Sequence, residues 1–232
     1  MSHEKPEEKN SELWTAVDTY ITQNLIPTDP ILEDTLKANA ESGLPSIDVS
    51  PTQGKFLYLL AKIKGASRIL EVGTLGGYST IWLARALPSG GKLITLEVNP
   101  KHAEVAAKNI ARASLTSRVE QRVGPALGTL AQLQSEHTPS FDLIFIDADK
   151  PNNPSYLDWA LRLSHPGTII ITDNVIREGG IINPDDPDPA IQGTRRLFEK
   201  LATEPRLEAT ALQTVGCKKH DGFAIAIVKS LL

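Results

Sequence analysis

The feature that most restricts how this chain can fold is a change of rhythm near Gly65. Beyond it, short apolar runs alternate with stretches of helical period. The runs are Arg68–Val72, Lys92–Glu97, Val119–Val123, Phe141–Asp147 and Thr168–Asp173; between them lie Tyr78–Leu87, Pro100–Ser114, Pro125–Ser135 and Pro154–Ser164. Alternating strands and helices build a parallel sheet covered on both faces. Leu143–Ile146 and Ile169–Ile171 are apolar without interruption, as strands buried on both sides are. A last helix is expected over 190–202. After it, Leu207–Thr214 and Phe223–Val228, joined by the polar segment Gly216–Gly222, read as an antiparallel hairpin at the sheet edge. The fold class is therefore α/β, with the core over 65–232.

Three helices are expected over 11–64. The first carries Leu13, Trp14, Val17, Tyr20, Ile21 and Leu25 at helical spacing and ends at Pro27. Its aromatic residues pack into the core, wall a pocket or make a dimer contact. The second opens near Thr28, with Pro30 in its first turn, and closes at Gly43. The third has Ser50 as N-cap, Pro51 at the first helical position and Gln53 completing a capping box, with an apolar face of Phe56, Leu57, Leu60 and Ile63. Residues 1–10, rich in Glu, Lys and Pro, read as a disordered tail, which leaves 11–232 as a single domain.

Charge and cysteine usage exclude some partners. The formal net charge is −4 and no run of Lys or Arg interrupts it, which argues against nucleic acid and acidic membrane surfaces. No stretch approaches the roughly 20 apolar residues of a membrane span, and the polar N-terminus lacks a secretory signal. The one cysteine, Cys217, has no internal partner. These features together point to a cytoplasmic protein. The histidines His3, His102, His137, His165 and His220 are scattered, and none pairs at metal-ligand spacing.

Two constellations carry chemistry. In the first, a strand runs through Ile69-Leu70-Glu71-Val72 into the turn Gly73-Thr74-Leu75-Gly76-Gly77 and then into a helix at Tyr78-Ser79. Glycines serve a backbone that turns tightly and approaches a ligand. Glu71 sits near the end of its strand, where a carboxylate is costly without a partner. Glu97 ends the next strand, placed to accept hydrogen bonds from ribose hydroxyls. The ligand read from this arrangement is an adenosine-type nucleoside. An NAD(P)-dependent oxidoreductase is the natural rival, but Gly-x-x-Gly-Gly is not Gly-x-Gly-x-x-Gly. The one Tyr-x-x-x-Lys pair, Tyr58 with Lys62, precedes the glycine turn instead of following it. A non-catalytic nucleoside-binding module is the other alternative.

The second constellation lies at two later strand ends, Asp147-Ala148-Asp149-Lys150 and Asp173-Asn174. Open α/β sheets bind ligands outside the carboxyl ends of their strands, so Asp147, Asp173 and Asn174 share a crevice. All offer oxygen, which suits Mg²⁺ best, with Mn²⁺ or Ca²⁺ as alternatives. Capping of the following helices is the competing role for any one of them. The set, with Lys150 beside it, argues against a module that has lost catalysis. The long segment 177–193, rich in Gly, Pro and Asp, reads as a mobile lid over an acceptor pocket.

The run Glu71-Val72-Gly73-Thr74-Leu75-Gly76-Gly77-Tyr78-Ser79 resembles the S-adenosylmethionine motif of the cation-dependent O-methyltransferases, the caffeoyl-CoA and catechol O-methyltransferase group. The similarity extends over about residues 45–229. It implies a Rossmann-like sheet of seven strands in the order 3-2-1-4-5-7-6, strand 7 antiparallel, and a vicinal-diol aromatic acceptor. By this resemblance Glu71, Gly73, Thr74 and Ser79 touch the methionine part of the cofactor and nearby backbone. Glu97 holds the ribose, Ala126 lies beside the adenine, and Val49 and Asp149 also contact the cofactor. Asp147, Asp173 and Asn174 match the metal ligands and Lys150 the catalytic lysine. The resemblance to the caffeoyl-CoA type further implies a homodimer. One departure is the link Pro151-Asn152-Asn153-Pro154-Ser155-Tyr156, where the plant enzymes have a shorter, acidic connection to a tyrosine.

Overall fold

The computed structural model describes residues 6–230. Helices α1 (Pro6–Leu25), α2 (Pro30–Glu41) and α3 (Pro51–Lys64) precede the sheet. Then follow β1 (Arg68–Val72), α4 (Tyr78–Ala86), β2 (Lys92–Glu97), α5 (Pro100–Arg112), β3 (Val119–Val123), α6 (Ala126–Ser135), β4 (Phe141–Ile146), α7 (Asn153–Arg162), β5 (Ser164–Asp173), α8 (Pro189–Thr203), β6 (Leu207–Gly216) and β7 (Lys219–Val228). The strands form one sheet in the order β3-β2-β1-β4-β5-β7-β6. The four pairings among β3, β2, β1, β4 and β5 are parallel, and β7 runs antiparallel to both β5 and β6.

The alternation of side chains along each strand sorts the core into two layers. Leu70, Val72, Ile94, Ile144, Ile146 and Ile170 meet α6, α7 and α8 on one face. Ile69, Leu93, Leu143, Phe145 and Ile171 meet α3, α4 and α5 on the other. Asp147 and Asp173 continue the second set, because each lies two residues beyond Phe145 and Ile171. The last β4–β5 pair is Ile146 with Thr172, so the two acids emerge side by side one step further on.

Several local expectations are corrected. Helix α1 starts at Pro6, inside the stretch 1–10 expected to be disordered, because proline suits a first helical position; residues 1–5 lie outside the described residues. The second helix is capped by Asp29, whose carboxylate accepts from the Ile31 and Leu32 amides. Ile63 is 81% exposed and drops out of the apolar face of α3. The edge hairpin turns in two residues, Cys217 and Lys218, rather than through the whole of Gly216–Gly222, since β-pairing runs on to Gly216 with Lys219. Helix α1 leaves Leu13, Val17 and Tyr20 exposed rather than packed.

Candidate active site

The carboxyl ends of β1, β2 and β4 are tied together at the glycine turn. The Gly73 amide donates to the Leu96 carbonyl at 3.0 Å and the Asp147 amide to the Val72 carbonyl at 2.8 Å. Gly73 has φ +102, and a Cβ there would stand 2.1 Å from the Asp147 carbonyl oxygen. Any other residue would force the cofactor turn away from the acidic strand end. Glu97, at the end of β2, accepts from the Thr74 amide at 3.3 Å and the Leu75 amide at 2.8 Å. Its other oxygen accepts from the Asn99 amide at 2.9 Å. The carboxylate thus shapes the turn while its edge borders the cleft.

Glu71 is placed differently from the other residues of its motif. It is fully buried beneath the turn. Its side chain accepts from Ser79 Oγ at 2.6 Å, from Thr95 Oγ1 at 2.7 Å and from Thr80 Oγ1. Burial raises its pKa to about 7 against the lowering effect of these three hydroxyls, with the charge of Asp147 adding to the rise. The strand's parity turns Glu71 toward α4, away from solvent, so it acts on the cleft through Ser79.

At the acidic strand ends, Lys150 Nζ donates to Asp147 Oδ1 at 2.8 Å. Asp173 is 4% exposed and accepts from Gln53 Nε2 at 2.7 Å. The expected capping box is therefore half formed. Ser50 Oγ accepts from the Gln53 amide at 3.2 Å, but the Gln53 side chain crosses to Asp173. Burial lifts the Asp173 carboxyl to about 7, and the negative charge of Asp147 adds to it. Lys150, the Asn174 amide and Gln53 pull the other way. Two repelling carboxylates beside an asparagine amide fit a hard divalent cation, which would offset the repulsion and complete its shell with water or substrate oxygen. Among the described residues no three His, Cys, Asp or Glu side chains cluster for metal binding, so the set depends on the amide. Asp149 accepts from Tyr156 Oη and from Asn152 Nδ2 at 2.6 Å. Burial and the Asp149 carboxylate push the Tyr156 phenol upward, so it stays protonated and donates.

These groups line one cleft of about 750 Å³. Val49, Gly73, Thr74, Ser79, Glu97, Ala126, Asp147, Asp149, Lys150 and Asn174 border it, whereas Glu71 and Asp173 lie behind its wall. Tyr78, Asp48, Tyr156 and Arg177 also line it, and none of them was assigned an individual site role from the sequence. Tyr156 had a signal, its place one turn beyond the acidic strand end. The segment 177–193 is more ordered than a bare loop. It forms 3₁₀ turns over Arg177–Ile182 and enters α8 at Pro189. A Cβ on Gly193 would lie 2.3 Å from the Lys150 carbonyl, so α8 packs directly on the Lys150 segment.

A seven-stranded sheet of this order, with a glycine turn and paired strand-end acids around one cleft, defines a Rossmann-like methyltransferase. A family profile described as O-methyltransferase matches residues 23–226. The chain belongs to this O-methyltransferase family. It is 54% identical over 220 residues to a catechol O-methyltransferase of Niastella koreensis, covering 95% of this chain and 100% of that one. It is 51% identical over 213 residues to a catechol O-methyltransferase of Mycobacterium tuberculosis, covering 92% and 95%. The crystal structure of an O-methyltransferase from Bacillus cereus in complex with SAH superposes with a TM-score of 0.94 at 60% identity, covering 94% of this chain and 100% of that one. No helix among the described residues is long and apolar enough to cross a membrane.

Proposed function

We propose that this O-methyltransferase moves a methyl group from S-adenosylmethionine to one hydroxyl of a catechol-type acceptor, with a divalent cation, Mg²⁺ first, at Asp147, Asp173 and Asn174. The observation that carries this reading is the meeting of Asp147, Asn174 and Lys150 with the glycine turn in a single cleft, with Asp173 buried directly behind its wall. The names of the relatives and the SAH bound to the B. cereus structure support it. The oxidoreductase alternative finds no support in the glycine spacing or in the family.

Methyl transfer from a sulfonium needs an ionised oxygen in line with the methyl group. A phenol has a pKa near 10, so only about 0.1% is ionised at pH 7; lowering that pKa by three units amounts to roughly 4 kcal/mol. A divalent cation held by Asp147, Asp173 and Asn174 would supply this stabilisation of the acceptor oxygen's charge. Lys150 Nζ, next to Asp147, is placed to receive or balance the departing proton. Gly73, Thr74 and Ser79 would hold the methionine end. Glu97 would take the ribose, and Val49, Ala126 and Asp149 would border the rest of the cofactor. Fixing methyl donor and acceptor together supplies orientation. Exposed Leu13, Val17 and Tyr20 on α1 favour a homodimer, and free, exposed Cys217 suits a reducing cytoplasm.

The test is methylation of catechol in the presence of excess EDTA. Turnover should cease and return on addition of Mg²⁺ or Mn²⁺. Full activity of rigorously metal-free enzyme would overturn the metal-dependent mechanism.

A further inference from the structure

We infer that Arg177 binds an anionic substituent of the acceptor, so that the preferred substrates are catechols carrying a carboxylate. This rests on the catechol reading above and narrows it. Three cationic or ionisable nitrogen side chains line the cleft: His102, Lys150 and Arg177. His102 faces Glu97 at 3.5 Å, and Lys150 is paired with Asp147 at 2.8 Å. Arg177 has no acidic partner among the described residues, and its Nε is buried without a hydrogen bond. A guanidinium so placed is incomplete, because a buried donor left unmade costs more than the same donor in water. Its planar fork matches a carboxylate in two parallel bonds, which a point charge such as Lys cannot reproduce.

The neighbouring acids are already committed. Asp221 Oδ1 accepts from the Ile176 amide at 3.0 Å, the Arg177 amide at 3.2 Å and the Gly222 amide at 2.9 Å. It therefore anchors the Arg177 backbone and makes no ion pair with the guanidinium. Asp149 is held by Tyr156 and Asn152, and Asp48 accepts from Asn39 Nδ2 at 2.9 Å. Glu178 turns outward toward Lys219. The backbone is bent to this arrangement: Asn174, Arg177 and Glu178 have φ values of 55, 54 and 53, in the left-handed region. Non-glycine residues rarely adopt it, and such strain gathers at ligand sites.

Position assigns the anion to the acceptor. Arg177 follows the strand end that bears Asp173 and Asn174, the side on which the diol would sit. The glycine turn that would take the cofactor lies on β1. A cleft of about 750 Å³ that serves both molecules leaves room for a compact acceptor, one ring with a short acidic side chain.

The test compares wild type with Arg177→Leu and Arg177→Lys on 3,4-dihydroxybenzoate and caffeate, each beside its methyl ester. Binding to the enzyme saturated with S-adenosylhomocysteine is measured by calorimetry, and turnover is measured with S-adenosylmethionine and Mg²⁺. Wild type should bind at least one acid 10- to 100-fold more tightly than its ester. Arg177→Leu should abolish that preference while leaving the esters within about threefold, and Arg177→Lys should restore only part of it. Equal affinity for acids and esters in wild type, or equal weakening of both in Arg177→Leu, would overturn the assignment. So would a matching loss of S-adenosylhomocysteine affinity in Arg177→Leu, which would place the guanidinium on the cofactor's own carboxylate. Absence of turnover with every catechol, while the binding preference holds, would sink the catechol reading and leave the anion site standing.

Discussion

Replacing Glu71 by Gln isolates a carboxyl buried beneath the glycine turn. In the folded protein this carboxyl is fully buried and its pKa is raised from 4.5 to about 7. Between those two values the folded chain keeps a proton that the unfolded chain has released. Stability therefore falls as pH rises through this window, and the loss is complete above about pH 7. From pH 5 to pH 8 the difference amounts to about 2–3 kcal/mol, at 1.36 kcal/mol per unit of pKa. Glutamine cannot ionise and lacks this dependence. It also loses one acceptor oxygen for the hydroxyls of Ser79, Thr80 and Thr95, a cost that does not change with pH. Urea unfolding of both proteins at pH 5 and pH 8 separates the two effects. The stability of Glu71→Gln relative to wild type should improve by about 2–3 kcal/mol at the higher pH. Parallel profiles would show that Glu71 is ionised throughout, and that its three hydroxyl donors outweigh the burial.

Three further outcomes are expected. Glu97→Ala removes the acceptor for the Thr74, Leu75 and Asn99 amides and for a ribose, so calorimetry should show S-adenosylmethionine affinity lower by roughly 1.5–3 kcal/mol; unchanged affinity would take Glu97 out of the site. Asp147→Ala should lose both Mn²⁺ binding and turnover, whereas Lys150→Ala should keep the metal and lose roughly 10²–10⁴ in rate. Near wild-type turnover in Lys150→Ala at neutral pH would refute its role as a base. Light scattering at micromolar concentration should give a dimer mass, and Tyr20→Glu on the exposed face of α1 should lower it; a single-chain mass for wild type would end the dimer proposal.

Much of the fold is legible in the sequence because local pattern carries it. Uninterrupted apolar runs such as Leu143–Ile146 have no stable place except a strand covered on both faces. The βα alternation brings the strand ends to one side, so Asp147, Asp173 and Asn174 are readable as neighbours without coordinates. Ser50 and Pro51 mark the start of α3 through backbone chemistry that acts over a few residues. The strand order rests on the family resemblance, since hydrophobic pattern alone does not say which parallel strand lies beside which.

The tertiary structure alone decided which way the polar side chains of these elements turn. Glu71 is read from its motif as a cofactor contact, yet strand parity points it at α4 and the Ser79–Thr80–Thr95 hydroxyls. Gln53 carries a capping-box signal three residues from Ser50, but its amide finds Asp173, 120 positions away, because α3 packs over the face on which β5 presents that acid. Arg177 is legible in the sequence only as the first residue of the 177–193 segment, with no signal for its own side chain. It enters the cleft because Asp221, on the antiparallel strand β7, accepts from its amide while its backbone takes the left-handed region. Pattern within a dozen residues determines what forms and where each strand ends. Contacts between distant segments decide which donor meets which acceptor, because a buried polar group takes whatever partner the packed layers bring within 3 Å.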